Sequence, residues 1–275
     1  MPIDLGAADR LFVLTGAGIS AESGLPTFRG EGGLWRGRRA EQVATPGAFA
    51  ADPALVWAFY AERRRRASGV RPNPGHLALA RLERALDERY FLCTQNVDSL
   101  HEAAGSRRLV HMHGRLLESC CSRPGCPSPP FEDAGLYDTA DAIPRCGRCG
   151  ALLRPHVCWF GEIPFELDRI ADALSACTVC LVVGTSGLVE PAASFVRMAS
   201  AHGARTLYVG PEPPANAGAF EEVRLGPSGE VLPALVTTWL GGPDEPRDRG
   251  GPQERRGPDA PPGAGGPDAK PQPLL

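Results

Sequence analysis

Gly16-Ala17-Gly18-Ile19-Ser20-Ala21 is the first stretch of this sequence whose residue types and spacing suit chemistry. Glycines at 16 and 18 with a small residue at 21 match the dinucleotide fingerprint, in which the backbone turns tightly and approaches a pyrophosphate. A strand feeding such a turn also aims free N–H groups, and the positive end of a helix dipole, at phosphate. Farther along, Thr94-Gln95-Asn96-Val97-Asp98 gathers two amides and a carboxylate, and His111 and His113 stand two residues apart. Two such residues on a strand share a face, and imidazole titrates closest to neutrality, which suits removal of a hydroxyl proton. A different chemistry lies in Cys121-x4-Cys126, nineteen residues, then Cys146-x2-Cys149. Two close cysteine pairs are the spacing of a structural Zn²⁺ ribbon, and four sulfurs leave no open position for catalysis. Cys120 is an alternative to Cys121 in that set. Tyr60 and Arg63 fall one helical turn apart on one face, and both can donate hydrogen bonds to an anionic group.

Several elements must hold these residues. Leu11 to Leu14 reads as a buried parallel strand ahead of the glycine turn. Gly24 and Pro26 break the following helix almost at once, and a Gly/Arg-rich loop runs from Arg29 to Arg39. A long loop beside a nucleotide site is usually functional. Residues 41–72 form a helical satellite with a start at Asp52-Pro53 and an apolar stripe of Leu55, Val56, Phe59 and Tyr60. Arg64 to Arg66 read as a solvated helix end. An amphipathic helix over 75–88 precedes a strand at Tyr90 to Cys93, whose C-terminal end delivers Gln95, Asn96 and Asp98, the place where open α/β sheets bind ligands. Asp98 or Ser99 could also cap the next helix. Further strands are expected at Leu109 to His113, Arg154 to Phe160, Val179 to Val183 and, last, Thr206 to Val209, before a closing helix at Val231 to Trp239.

With 275 residues, 43% of them hydrophobic, the chain can build one large domain or a large and a small one. A net charge of −3 supplies no electrostatic footprint for nucleic acid. No apolar run approaches a membrane span or a signal-peptide core, so a cytoplasmic protein without membrane partners is the expectation. Nine cysteines without a secretion signal argue against a disulfide framework. Cys93, Cys158, Cys177 and Cys180 lie in apolar strand-like runs and read as core thiols. Beyond Gly241 the sequence is Pro, Gly and charge, a composition that cannot bury enough surface to fold.

Read together, Gly16 to Gly30, Thr94 to His101 and His113-Gly114 resemble the sirtuins, NAD-dependent protein-lysine deacylases, over about Leu11 to Trp239. The resemblance implies an α/β fold, a doubly wound parallel Rossmann-like sheet with a smaller helical plus zinc-ribbon module. It divides the chain into a core (1–30, 73–116 and 157–241), the small module (31–72 and 117–156) and a tail (242–275). NAD would be a consumed co-substrate and one Zn²⁺ structural, with acylated-lysine proteins or peptides as partners. The acyl group would pass from lysine to ADP-ribose as nicotinamide is released. His113 matches the general base, with Asn96 and Asp98 beside it. The cofactor would contact Gly16, Ala17, Gly18, Ile19, Glu22, Thr27, Phe28, Arg29 and Trp35, then Gln95, Asn96, Val97 and Asp98, then the Gly184-Thr185-Ser186 turn. Phe160, Gly161 and Glu162 would form one edge of the peptide groove and 187–190 the other. Tyr60-x-x-Arg63 resembles the pair that binds succinyl, malonyl or glutaryl carboxylates in class III members, and Ala44 matches a small residue that leaves room for that tail. Resemblance also favours Cys121 over Cys120 for zinc. The family's Asn near the last strand end is replaced by Gly210-Pro211-Glu212. The alternatives are a plain deacetylase or mono-ADP-ribosyltransferase on the same site, or a non-catalytic NAD-binding, zinc-stapled interaction protein.

Overall fold

The computed structural model describes residues 2–27 and 34–242. The strands in chain order are β1 (Leu11–Thr15), β2 (Leu34–Trp35), β3 (Arg38–Arg39), β4 (Tyr90–Thr94), β5 (Leu109–His111), β6 (Gly114–Cys121), β7 (Phe131–Glu132), β8 (Leu153–Val157), β9 (Val179–Val183), β10 (Arg205–Gly210) and β11 (Glu222–Leu225). The α-helices are α1 (Ala17–Ala21), α2 (Ala40–Val43), α3 (Pro46–Ala51), α4 (Pro53–Ala67), α5 (Pro74–Leu86), α6 (Leu100–Ala103), α7 (Leu167–Ala176), α8 (Phe195–Ala201) and α9 (Ser228–Leu240).

Six parallel strands form the main sheet in the order β11-β10-β9-β1-β4-β5. Unbroken apolar runs such as Leu-Phe-Val-Leu-Thr and Val-Cys-Leu-Val-Val are needed because both faces are covered, and every residue of β1 and β9 is buried. Alternate side chains feed two cores. Leu11, Val13 and Leu181 pack with α5 and α9, whereas Phe12, Leu14 and Val182 pack with α7 and α8. The chain runs from β1 to β4 and β5 on one side and returns through β9 to β10 and β11 on the other. β1 and β9 therefore flank the switch point, and the turns after them, at Gly16 and Gly184, share one crevice.

A second body of packing lies over this edge. β6, β7 and β8 form a small antiparallel sheet. It shares a core with α2, α3 and α4 through Val43, Phe49, Trp57, Phe59, Leu153 and Trp159. α4 starts as its sequence dictates, with the Asp52 carboxylate accepting from Leu55 N–H at 3.0 Å ahead of Pro53.

Four expectations need correction. Arg64 is not solvated: it is 3% exposed and donates to the carbonyls of Leu116 at 2.9 Å, Gly135 at 2.6 Å and Glu118 at 3.3 Å, with Asp133 at 3.6 Å. Its helix is wedged against the small sheet, so the arginine fills that junction. Thr206 to Val209 is not the last strand, since β11 pairs beyond it; half-exposed at the sheet edge, it lacks the apolar run of a central strand. β5 ends at His111 and β8 at Val157, which leaves His113 on the turn before β6 and Trp159 to Glu162 in a loop. Cys177 is not on a strand; it caps the C-terminus of α7 and shares the apolar cluster of Cys180. The expected sites Phe28 and Arg29, and the tail apart from Gly242, lie outside the described residues.

Candidate active site

The two crevice turns touch through glycine. A Cβ on Gly18 would sit 2.7 Å from Gly184 Cα and O, one on Gly184 2.6 Å from Ile19 N, and Gly184 has φ +61. Gly18 N–H donates to Gly184 O at 2.9 Å, so this amide joins the turns to each other. α1 is only five residues long and contributes little dipole. Ala17 lines the pocket with Ser20, Leu25 and Pro26, while Ile19 is fully buried beneath them.

Across the crevice, the end of β4 presents Asn96, Val97 and Asp98 to the same pocket. Asn96 Nδ2 donates to Gly16 O and to Ser20 Oγ, both at 3.0 Å, which leaves Oδ1 as its atom without a protein partner among the described residues. Ser20 Oγ in turn donates to Asp98 Oδ2 at 2.9 Å. Asp98 Oδ1 accepts from Leu100 N–H at 3.1 Å, so the carboxylate also caps α6. Burial raises the Asp98 pKa, and the Leu100 and Ser20 hydrogen bonds oppose that rise. Ser20, 2% exposed, was not singled out in the sequence, where it reads as an ordinary small residue of a glycine turn.

Both histidines grip the loop after β4. His111 Nδ1 lies 2.8 Å from Asn96 O and its Nε2 2.7 Å from Glu102 Oε1. His113 Nδ1 lies 3.1 Å from Gln95 O. A carbonyl can only accept, so Nδ1 of His113 carries the proton and Nε2 keeps its lone pair. Burial lowers the His113 pKa, and the Gln95 hydrogen bond partly offsets it. Gly114 follows with φ +79, where a Cβ would come within 2.1 Å of His156 O. Only glycine permits that approach.

Arg63 reaches this pocket from α4. Burial lowers its pKa while Tyr60 and Asp98 raise it, which places all three within electrostatic reach. Tyr60 is 2% exposed, and its oxygen accepts from Trp159 Nε1 at 3.0 Å. Ala44, also buried, accepts from Phe160 N–H at 3.0 Å.

The other expected site residues are not among those lining this pocket, although Thr185 lies against the first glycine turn, its Cγ2 3.0 Å from where a Cβ on Gly16 would sit. Glu22 accepts from Ser228 Oγ at 2.5 Å and Gly229 N–H at 3.0 Å, capping α9. Trp35 is buried in the small module and donates to Glu62 at 2.7 Å. Thr27 is the last residue described before the 28–33 segment. Thr185 O accepts from the Tyr208 hydroxyl at 3.2 Å, and Ser186 Oγ accepts from Leu188 N–H at 3.2 Å. Glu162 is committed to Arg154, at 2.6 and 2.9 Å, and to Trp159 N–H at 2.7 Å. Phe160 is 43% exposed beside Gly161, whose φ is +91.

The sulfurs of Cys121, Cys126, Cys146 and Cys149 all lie within 4.8 Å of one another. Neighbouring pairs stand 3.4 and 3.9 Å apart, close to the roughly 3.8 Å edge of a tetrahedron with 2.3 Å Zn–S bonds. Backbone N–H groups of Arg148 and Cys149 favour the Cys146 thiolate. Cys120 is outside the cluster, as expected of an adjacent strand residue facing the other way. The donor set therefore suits one structural zinc.

A glycine-welded crevice, a polar loop and a half-buried imidazole are thus built on a parallel sheet beside a four-thiol ribbon. The Sir2 family model matches residues 16–191. A NAD-dependent protein deacylase of Caulobacter vibrioides is 50% identical over 234 residues, covering 84% of this chain and 97% of that protein. A Sir2 homolog solved as an NAD complex superposes with a TM-score of 0.78 at 41% identity, over 86% of this chain and 91% of that one. A Sir2–p53 peptide–NAD⁺ complex reaches 0.71 at 26% identity, over 84% and 93%. The match spans the glycine turns, the 95–98 loop, His113 and all four clustered cysteines, and the chain belongs to the Sir2 family.

Proposed function

We propose that this chain is an NAD-dependent protein-lysine deacylase that passes an acyl group from lysine to ADP-ribose, releases nicotinamide, and prefers acidic acyl groups such as succinyl and malonyl. The observation that carries the preference is Arg63, which reaches into the pocket lined by Asn96 and Asp98 with the Tyr60 phenol beside it. A guanidinium and a phenol are matched donors for a terminal carboxylate.

The cofactor fits the polar groups at the crevice and beside it: the Ser20–Asp98 pair, Asn96 Oδ1, which has no protein partner among the described residues, and the lone pair of His113 on the turn before β6. Bound NAD would supply the ribose carbon that takes the acyl oxygen as nicotinamide leaves. Asn96 and Asp98, braced by Ser20, would orient that ribose, and His113 Nε2 would take a proton from its hydroxyl. Leu188 and Val189, 66% and 41% exposed, and Phe160 and Ile163, 43% and 79% exposed, are apolar residues suited to a peptide groove. An extended substrate would lie there by strand addition.

Nicotinamide release with succinyl- and acetyl-lysine peptides of one sequence tests this reading. Arg63→Met is expected to lower desuccinylation by at least roughly tenfold, the weight of a charged hydrogen bond, and to spare deacetylation. Unchanged desuccinylation would overturn the acidic preference.

A further inference from the structure

The indole nitrogen of Trp159 lies 3.0 Å from the Tyr60 oxygen. An indole N–H can only donate, so the phenol oxygen is the acceptor in this pair. Its own proton then has to go elsewhere, and no described residue accepts it. Both side chains are 2% exposed. Burial pushes the Tyr60 pKa up to about 12, against the opposing effects of Arg63 and Trp159, so the phenol keeps its proton near neutral pH. A protonated phenol whose oxygen is already engaged is a donor waiting for an acceptor.

Trp159 is itself immobilised. The Arg154 guanidinium sits 3.3 Å from its ring centroid, and Phe49 packs at 5.3 Å. Its main-chain N–H donates to Glu162, which is bound twice by Arg154. The next residue, Phe160, is tied to Ala44 O. Glu162, Arg154 and Trp159 thus form a brace whose far end is one hydrogen bond to Tyr60.

We infer that Trp159 is a positioning residue for acyl specificity: by occupying the Tyr60 oxygen it reserves the phenol proton for a carboxylate, so Tyr60 and Arg63 favour an anionic acyl tail over a neutral one. This rests on the acidic-acyl reading above. A neutral acetyl group presents no terminal acceptor and gains nothing from the arrangement.

Trp159→Phe keeps an aromatic ring between Arg154 and Phe49 but removes the N–H. The KM for a succinyl-lysine peptide is expected to rise about tenfold through loss of a hydrogen bond that orients a donor to a charged group. The acetyl-lysine KM, and kcat for both peptides, should stay near those of the unsubstituted protein. Tyr60→Phe should show the same split, and the double variant should lose no more than Tyr60→Phe alone, because Trp159 acts through Tyr60. Titration of the succinyl peptide without NAD should rank the variants in the same order. An equal rise in KM for both peptides would assign Trp159 a packing role only, and additive losses would remove its link to Tyr60; either result overturns the inference. Arg63→Met separates the two readings. If it spares desuccinylation, the acidic preference fails and the role of Trp159 with it; if it impairs desuccinylation while Trp159→Phe does not, only the role of Trp159 fails.

Discussion

His113 shows how little side-chain chemistry a base needs when the backbone prepares it. The Gln95 carbonyl fixes the proton on Nδ1, and burial disfavours a second one, so the imidazole stays neutral at lower pH than an exposed histidine. The proposed base works only in that neutral form. Activity is therefore present above the folded pKa and lost as pH falls through it. The acid limb of kcat/KM for nicotinamide release should inflect below the ordinary histidine value of about 6.5. An inflection above that value would exclude His113 as the titrating group. His113→Ala should slow turnover by roughly 10²- to 10⁴-fold, the usual worth of a general base. The histidine and the Gln95 to Asp98 amides and acid were legible because their types advertise chemistry. Ser20 and Trp159 were not, because a small hydroxyl in a turn and an aromatic in an apolar run have ordinary structural uses, and only their partners distinguish them.

Among the elements, α4 teaches most about what patterns conceal. Its start follows from Asp52-Pro53, and its inward stripe from Val56, Phe59 and Tyr60; of its four consecutive arginines, Arg63 is marked by Tyr60 one turn before it, but the run of charge hides that Arg64 also turns inward. Helix angle decides it: Arg64 lies two turns beyond fully buried Trp57 and follows it into the junction with β6. Arg65 and Arg66 point outward, with side chains 47% and 54% exposed. The contrast is measurable. Arg64→Ala would take the guanidinium donor from three backbone carbonyls and Ser119 and the cation from Asp133, whose carboxylate keeps, among the described residues, only the neutral donors Ser119, Gly135 and Tyr137. It should cost about 3 to 5 kcal/mol in urea unfolding, as breaking a buried ion pair does. Arg65→Ala should cost less than about 1 kcal/mol, because its pair with Asp138 is exposed. Equal losses would mean that Arg64 is not the pin between helix and sheet. The central strands were legible as apolar runs covered on both faces. β11 was not, because an edge strand needs neither face fully apolar, and Glu222-Val-Arg-Leu225 alternates half-buried with exposed.

At the scale of the whole molecule, the four-cysteine ribbon and the proposed acyl pocket share one core. Cys146, Leu153, Trp159, Phe59 and Tyr60 belong to a single apolar cluster, and Trp57 Nε1 donates to Leu153 O at 3.0 Å. The metal lies outside the chemistry, but it closes the ribbon against which α4 packs. Free energy of metal binding is free energy of folding for such a site. The parallel sheet has its own two cores, on α5 and α9 and on α7 and α8, and does not depend on the four sulfurs. Cys121→Ser should therefore yield a chain without bound zinc that keeps the helical and sheet content of the main domain yet loses desuccinylation, because Tyr60 and Arg63 lose the support of the ribbon. Cys120→Ser is the matched control: one residue away and facing Arg154 across the β6–β8 pair, it should retain one zinc per chain and full activity. Zinc content, circular dichroism and nicotinamide release on the two variants decide the matter. If Cys120→Ser loses the metal and Cys121→Ser retains it, the ligand set is wrong; if Cys121→Ser loses the metal but deacylates normally, the ribbon does not support the pocket.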